Sequence, residues 1–259
     1  MIRIQSFEFN ERAECPKFIR DSLIEILGNG QRWSHVLDAI VPSFTEFCQK
    51  TGTDSILDLC SGSGEPVSIL IESLERQNME VPSFTISDLF PKIHSMELIA
   101  KRHPDKIKII YDPIDATNVP KNFNFKACTF INSFHHFPPS LASSILEDCI
   151  KKERAVFISE CFPRNFRCFV PFFPFLALAS FINPLITNNQ KILKLVFTYM
   201  LPAIAVMGTW DAVVSVLRIY GREELMELIK PYRNEFKWEY REISFFGGGR
   251  AVIFFGIPS

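Results

Sequence analysis

The sequence predicts an α/β fold organised on a mostly parallel sheet, and three observations carry that expectation. Between residues 55 and 160, short apolar runs alternate with segments of helical spacing, the pattern of parallel strands joined by right-handed crossovers. The first run breaks into a small-residue loop, Asp58-Leu-Cys-Ser-Gly-Ser-Gly64, with Pro66 in the first turn of the following helix, where its missing N–H has no partner to lose. Finally, Gly62, Asp88, Asp115, Asn132, His135, His136 and Glu160 all fall at the carboxyl ends of strands, where open α/β sheets hold their ligands.

Composition narrows the field. The chain has 259 residues, 47% hydrophobic and 13% aromatic, enough for one α/β domain with elaborations. Its 26 phenylalanines point to an apolar pocket or surface beyond the core. A net charge of −1 without a long basic run argues against nucleic acid as a partner. Seven scattered cysteines without C-x-x-C spacing predict neither a disulfide framework nor a zinc site, and no metal-ligand set is expected. The N-terminal residues lack a basic region followed by an apolar core, so no secretory leader and a cytoplasmic location are expected.

Residues 1–50 read as an N-terminal helical cap. Pro16 to Leu27 and Trp33 to Cys48 have helical spacing, with Gly28-Asn-Gly30 read as the break between them. These helices either cover the sheet or bring Phe9, Arg32 or Trp33 over the ligand. Residues 51–161 form the binding core. Its predicted strands are 55–60, 83–88, 107–111, 127–132 and 155–160, with helices over 65–75, 91–101 and 140–150. The dinucleotide fingerprint requires a third glycine where this loop has Val67, so a nicotinamide-dependent reductase is disfavoured.

The loop resembles the first motif of class I S-adenosylmethionine-dependent methyltransferases, usually read L-D-x-G-C-G-x-G. Leu57, Asp58, Gly62 and Gly64 match it, and Cys60-Ser61 replace the customary Gly-Cys. The resemblance implies a Rossmann-like, seven-stranded, mostly parallel sheet with an antiparallel last strand, and S-adenosyl-L-methionine as cofactor. It implies that Asp58, Cys60, Ser61, Gly62 and Gly64 form the loop for the methionine part. Asp88 with Leu89 would then hold the ribose, and Asp115 with Ala116 the adenine. Asn132, Ser133 and Phe134 would border the methyl group. His135 and His136 are the catalytic candidates, either as a base for a hydroxyl or ammonium nucleophile or as lining of the cofactor pocket.

Residues 162–220 form an apolar helical insert after strand five, with no charged residue from 168 to 190. Each of its two apolar runs is shorter than the roughly 20 residues of a span and is interrupted by proline. The expectation is a lid, a greasy substrate cavity, or peripheral membrane contact through residues 168–208. Asp211, Ser215 and Arg218 recur at spacings of four and three and share one helix face. They either fix a ligand's head group or pin the insert to the sheet. Trp33, Glu160, Trp210, Asp211 and Arg218 are the substrate candidates. Residues 221–259 complete the core with strands 237–243 and 250–255 joined through three glycines, a hairpin signal. The expected function is methyl transfer from S-adenosylmethionine to a small, lipophilic acceptor. The rival is a catalytically silent, membrane-associated or regulatory protein of the same fold.

Overall fold

The computed structural model describes residues 2–12, 14–187 and 189–259. In chain order the elements are α1 (Lys17–Ser34), α2 (Val41–Thr51), β1 (Ser55–Asp58), α3 (Glu65–Arg76), β2 (Ser83–Ile86), α4 (Ile93–Arg102), β3 (Ile107–Ile109), β4 (Ala127–Ile131), α5 (Pro139–Lys151) and β5 (Ala155–Glu160). The insert contributes α6 (Phe166–Phe169), α7 (Phe173–Ile186), α8 (Lys191–Leu195) and α9 (Ala203–Arg218). The chain closes with α10 (Arg222–Leu228), β6 (Phe236–Ser244) and β7 (Arg250–Pro258).

The seven strands lie in the order β3-β2-β1-β4-β5-β7-β6. The first five are parallel, while β7 enters antiparallel between β5 and β6, as the hairpin signal requires. Winding reverses between β1 and β4, so a crevice opens at their carboxyl ends. All five residues of β4 are buried, as a central strand covered on both faces demands.

Helices cover both faces. On one, Phe44 and Phe47 of α2 pack on Phe84, Phe157 and Phe255 of the sheet, with Val67, Leu70 and Leu74 of α3 beside them. On the other, Ile145, Leu146 and Cys149 of α5 meet Phe130, Val156 and Phe254. Helix α2 is thus part of the central core, so many of the phenylalanines belong to ordinary packing.

The expected break at Gly28-Asn-Gly30 is not there: α1 runs unbroken through it. A β-carbon at Gly28 would come within 2.9 Å of Glu65 Cγ, and one at Gly30 within 3.0 Å of Leu176 Cδ2. The glycines allow close helix approach to α3 and α7, and the chain turns only at His35, with φ of +52°. The insert packs mainly on this helix, Ile19, Leu23 and Ile26 meeting Ala179 and Ile204. Its far side leaves Phe181, Leu185, Ile192, Met200 and Val206 exposed. The helical run Phe166–Ile186 is long and apolar enough to cross a membrane by length and composition, with 28% of it buried, beyond what its prolines led the sequence reading to expect.

Candidate active site

Strand β1 carries Asp58 to the centre of the sheet, level with Ile86 of β2 and Thr129 of β4. Its carboxylate is buried and accepts hydrogen bonds from Ser61 Oγ at 2.5 Å and Thr129 Oγ1 at 2.6 Å. Burial pushes its pKa up to about 7, against the pull of the two hydroxyls, and nearby Asp88 adds to the rise. Ser61 also donates its N–H to Ser87 O, so the loop is tied to β2. Cys60, Gly62 and Gly64 have φ of +60°, +58° and +82°. Gly64 abuts Ile86, whereas a β-carbon at Gly62 would meet no described atom within 4 Å. The loop therefore presents its backbone to open space at Gly62.

Asp88 accepts the Gly62 N–H at 2.7 Å on one oxygen and the Phe90 N–H at 2.9 Å on the other. Leu89 beside it is exposed. Asp115 is exposed and accepts from Thr117 N–H and Oγ1, while Ala116 is buried. The three acids converge: burial lifts the Cys60 thiol well above its usual pKa, and the charges of Asp88, Asp58 and Asp115 each lift it further.

At the end of β4, Asn132 has φ of +53° and its Oδ1 accepts the Cys161 N–H. Asn132 Nδ2 and Ser133 Oγ are buried without a hydrogen-bond partner among the described residues. The Phe134 ring is in the core against Phe130 and Tyr220. His135 is buried, with Nδ1 2.7 Å from Glu160 Oε2, and its N–H donates to Glu160 Oε1 at 2.9 Å. A carboxylate only accepts, so Nδ1 carries the proton. Burial opposes the imidazolium form, but Glu160 outweighs it and the His135 pKa is raised. His135 Nε2 is buried and has no partner among the described residues. His136 stacks on it at 4.2 Å and is held at Nδ1 by Glu11 Oε1 at 2.6 Å.

The N-terminal segment closes this end of the site. Asp211 caps it by accepting the N–H groups of Phe9 and Asn10 at 2.6 and 3.1 Å, and burial pushes its pKa up to about 6. Ser215 donates to Glu8 at 2.8 Å. Arg218, buried, donates to Glu8 at 3.1 Å, to both oxygens of Glu11 at 2.7 and 2.8 Å, and to Ser6 O. Burial raises the Glu11 pKa, but bonds from His136 and Arg218 prevail and hold it far below the carboxylate range. Trp210 donates to Phe7 O at 3.0 Å. The shared face of Asp211, Ser215 and Arg218 is thus turned onto residues 6–11. Arg3 adds bonds to His135 O and Phe137 O. Trp33 packs in the cluster between α1 and the insert. Arg32 grips Glu65 and Glu72 of α3, fastening α1 directly behind the glycine loop.

No family model matches the chain, and no curated protein matches it in sequence. Solved structures do. The mitomycin 7-O-methyltransferase MmcR superposes with a TM-score of 0.53 at 12% identity over 98% of this chain. The pyocyanin biosynthetic protein PhzM gives 0.51 at 13% identity over 87%. The chain has the class I methyltransferase fold. It spans 61% and 55% of the length of those two structures. In this methyltransferase fold, sequence reasoning had not singled out Thr129, Glu8 or Glu11. Thr129 was visible as the polar residue of a buried strand. Glu8 and Glu11 belong to a segment without periodicity, whose partners Ser215 and Arg218 lie more than 200 residues away.

Proposed function

We propose that the chain transfers the methyl group of S-adenosylmethionine to a small, lipophilic acceptor. The observation that carries this reading is the set of unanswered polar groups at the crevice. Asn132 Nδ2 and Ser133 Oγ are buried without partners among the described residues, and the open space at Gly62, whose N–H is held by Asp88, gives a ligand room to approach. A zwitterionic amino-acid moiety offers both donors and acceptors to such groups. In this reading Ser61, Gly62 and Gly64 hold the methionine part, Asp88 and Leu89 the ribose, and Asp115 and Ala116 the adenine. The sulfonium supplies the driving force for an in-line displacement, and the protein supplies position and activation of the nucleophile. His135, oriented by Glu160 and with Nε2 unpartnered among the described residues, activates the acceptor.

Titration calorimetry tests the cofactor assignment. Wild-type protein should bind S-adenosylmethionine, and Asp88→Ala should weaken it about tenfold, the scale of one or two kcal/mol for hydrogen bonds to a charged group. Equal affinity would remove the Asp88 role, and no binding to the wild type would leave the catalytically silent rival.

Two features favour a lipophilic acceptor. A cleft of about 310 Å³ is lined by Phe7, Phe9, Cys15, Pro16 and Met207, with Arg12 and Glu14 as its charged residues, near the lower end of small-molecule sites. The insert's exposed apolar side would let such a compound arrive from a bilayer surface. Phe181→Ser combined with Ile192→Ser, both exposed, should reduce co-sedimentation with liposomes; undiminished binding would remove the membrane contact and leave the cleft.

A further inference from the structure

We infer that Glu8, His135 and His136 form a binding site for a divalent first-row transition cation of the zinc type. One nitrogen from each imidazole and a carboxylate oxygen of Glu8 lie within 4.8 Å of one another. Around a single ion of bond length roughly 2 Å, neighbouring ligand atoms stand about 3–4 Å apart, so a small inward adjustment suffices. The second observation is His135 Nε2, on a residue only 6% exposed and without a hydrogen-bond partner among the described residues.

The surroundings are those that ligating imidazoles require. Each Nδ1 faces its own carboxylate, Glu160 for His135 and Glu11 for His136. Such pairing fixes ring orientation and strengthens Nε2 as a ligand. Glu8 is oriented in turn: Oε1 accepts from Ser215 and Arg218, and Oε2 from Asn10. A carboxylate oxygen has two acceptor positions; those of Oε1 are both taken, and Oε2, with one donor, keeps a position for a metal. Charge argues the same way. With neutral imidazoles, the four carboxylates around this cluster, Glu8, Glu11, Glu160 and Asp211, outnumber the two guanidiniums of Arg218 and Arg3 by two negative charges. One divalent cation balances them; two protons, one on each imidazole, are the competing solution. His136 is about one-third exposed and gives a route from solvent.

Two imidazoles and a carboxylate favour zinc, iron or cobalt over magnesium, and three protein ligands leave a position open. An acceptor hydroxyl in that position would lose its proton more readily, which is one way for His135 to serve activation. The site itself rests on geometry and charge, not on methyl transfer.

The test is therefore run without methyl donor. Purified, metal-stripped full-length protein is titrated with Zn²⁺ by calorimetry and with Co²⁺ by visible absorption. The expected result is one equivalent bound, with cobalt d–d bands and no thiolate charge-transfer band. Glu8→Gln and His135→Ala should each weaken binding at least tenfold, and Glu160→Gln roughly 10- to 100-fold through ring orientation. Absence of stoichiometric binding to the wild type would overturn the site and favour the doubly protonated cluster. So would a thiolate band, which would place the metal on the cysteines, or affinity unchanged in both ligand variants. Binding of S-adenosylmethionine, measured separately, stands or falls on its own.

Discussion

Arg218→Ala should lower folding stability by about 3–5 kcal/mol, the cost of removing one partner from a buried ion pair. The size follows from what stays behind. Glu8 and Arg218 are 2% and 3% exposed, so the alanine variant leaves the Glu8 carboxylate buried without its guanidinium. It also strips Glu11 of a two-pronged partner and Ser6 O of its donors. Arg218→Lys should recover part of the loss, since a lysine restores the charge but not the planar fork. Urea unfolding followed by circular dichroism measures both. A loss under about 1 kcal/mol for the alanine variant would mean that residues 6–11 are not anchored by this side chain.

His135→Ala should reduce turnover about 10²- to 10⁴-fold while leaving affinity for S-adenosylmethionine within about a factor of two. The imidazole is held on its Nδ1 side by Glu160; Ser61 to Gly64, Asp88 and Asp115 follow β1, β2 and β3, and the Asn132 and Ser133 side chains before it are left in place. Glu160→Gln should act in the same direction, because an amide orients and polarises the ring less than a carboxylate does. His136→Ala should have a smaller effect, since its ring is partly exposed. The readout is S-adenosylhomocysteine release with an acceptor found by screening lipophilic hydroxyl compounds. Unchanged turnover in both histidine variants would sink the activating role.

Much of the sheet was legible because its signals are local. A short apolar run ending in a polar or acidic residue and followed by helical spacing marks a strand that stops where a ligand can approach. That logic located β1, β2, β4 and β5 to within two residues at their ends. The parallel core and the antiparallel last strand followed from the alternation of strand and helix and from the terminal hairpin signal. The same local logic failed at Gly28 and Gly30, since a glycine that makes room for a neighbouring helix looks, in sequence, like one that breaks a helix. The helical spacing of Asp211, Ser215 and Arg218 correctly predicted a common face. What that face meets could not be read, because residues 6–11 have no repeating pattern and their bonds to that face span more than 200 positions. Glu160 and His135 were chosen separately from two strand ends; only their adjacency in space makes them a pair.

The long-distance anchoring of residues 3–11 sets an order of events during synthesis. Their partners on α9 are about 200 to 215 positions further along the chain, so they leave the ribosome long before anything exists to hold them. The glycine loop and the first parallel strands can be assembled meanwhile, and the histidine cluster must wait. Glu8 reaches His135 and His136 only after α9 has emerged and docked. A nascent chain halted before residue 211 lacks Asp211, Ser215 and Arg218, so the bonds that bring residues 6–11 to the histidines cannot yet form.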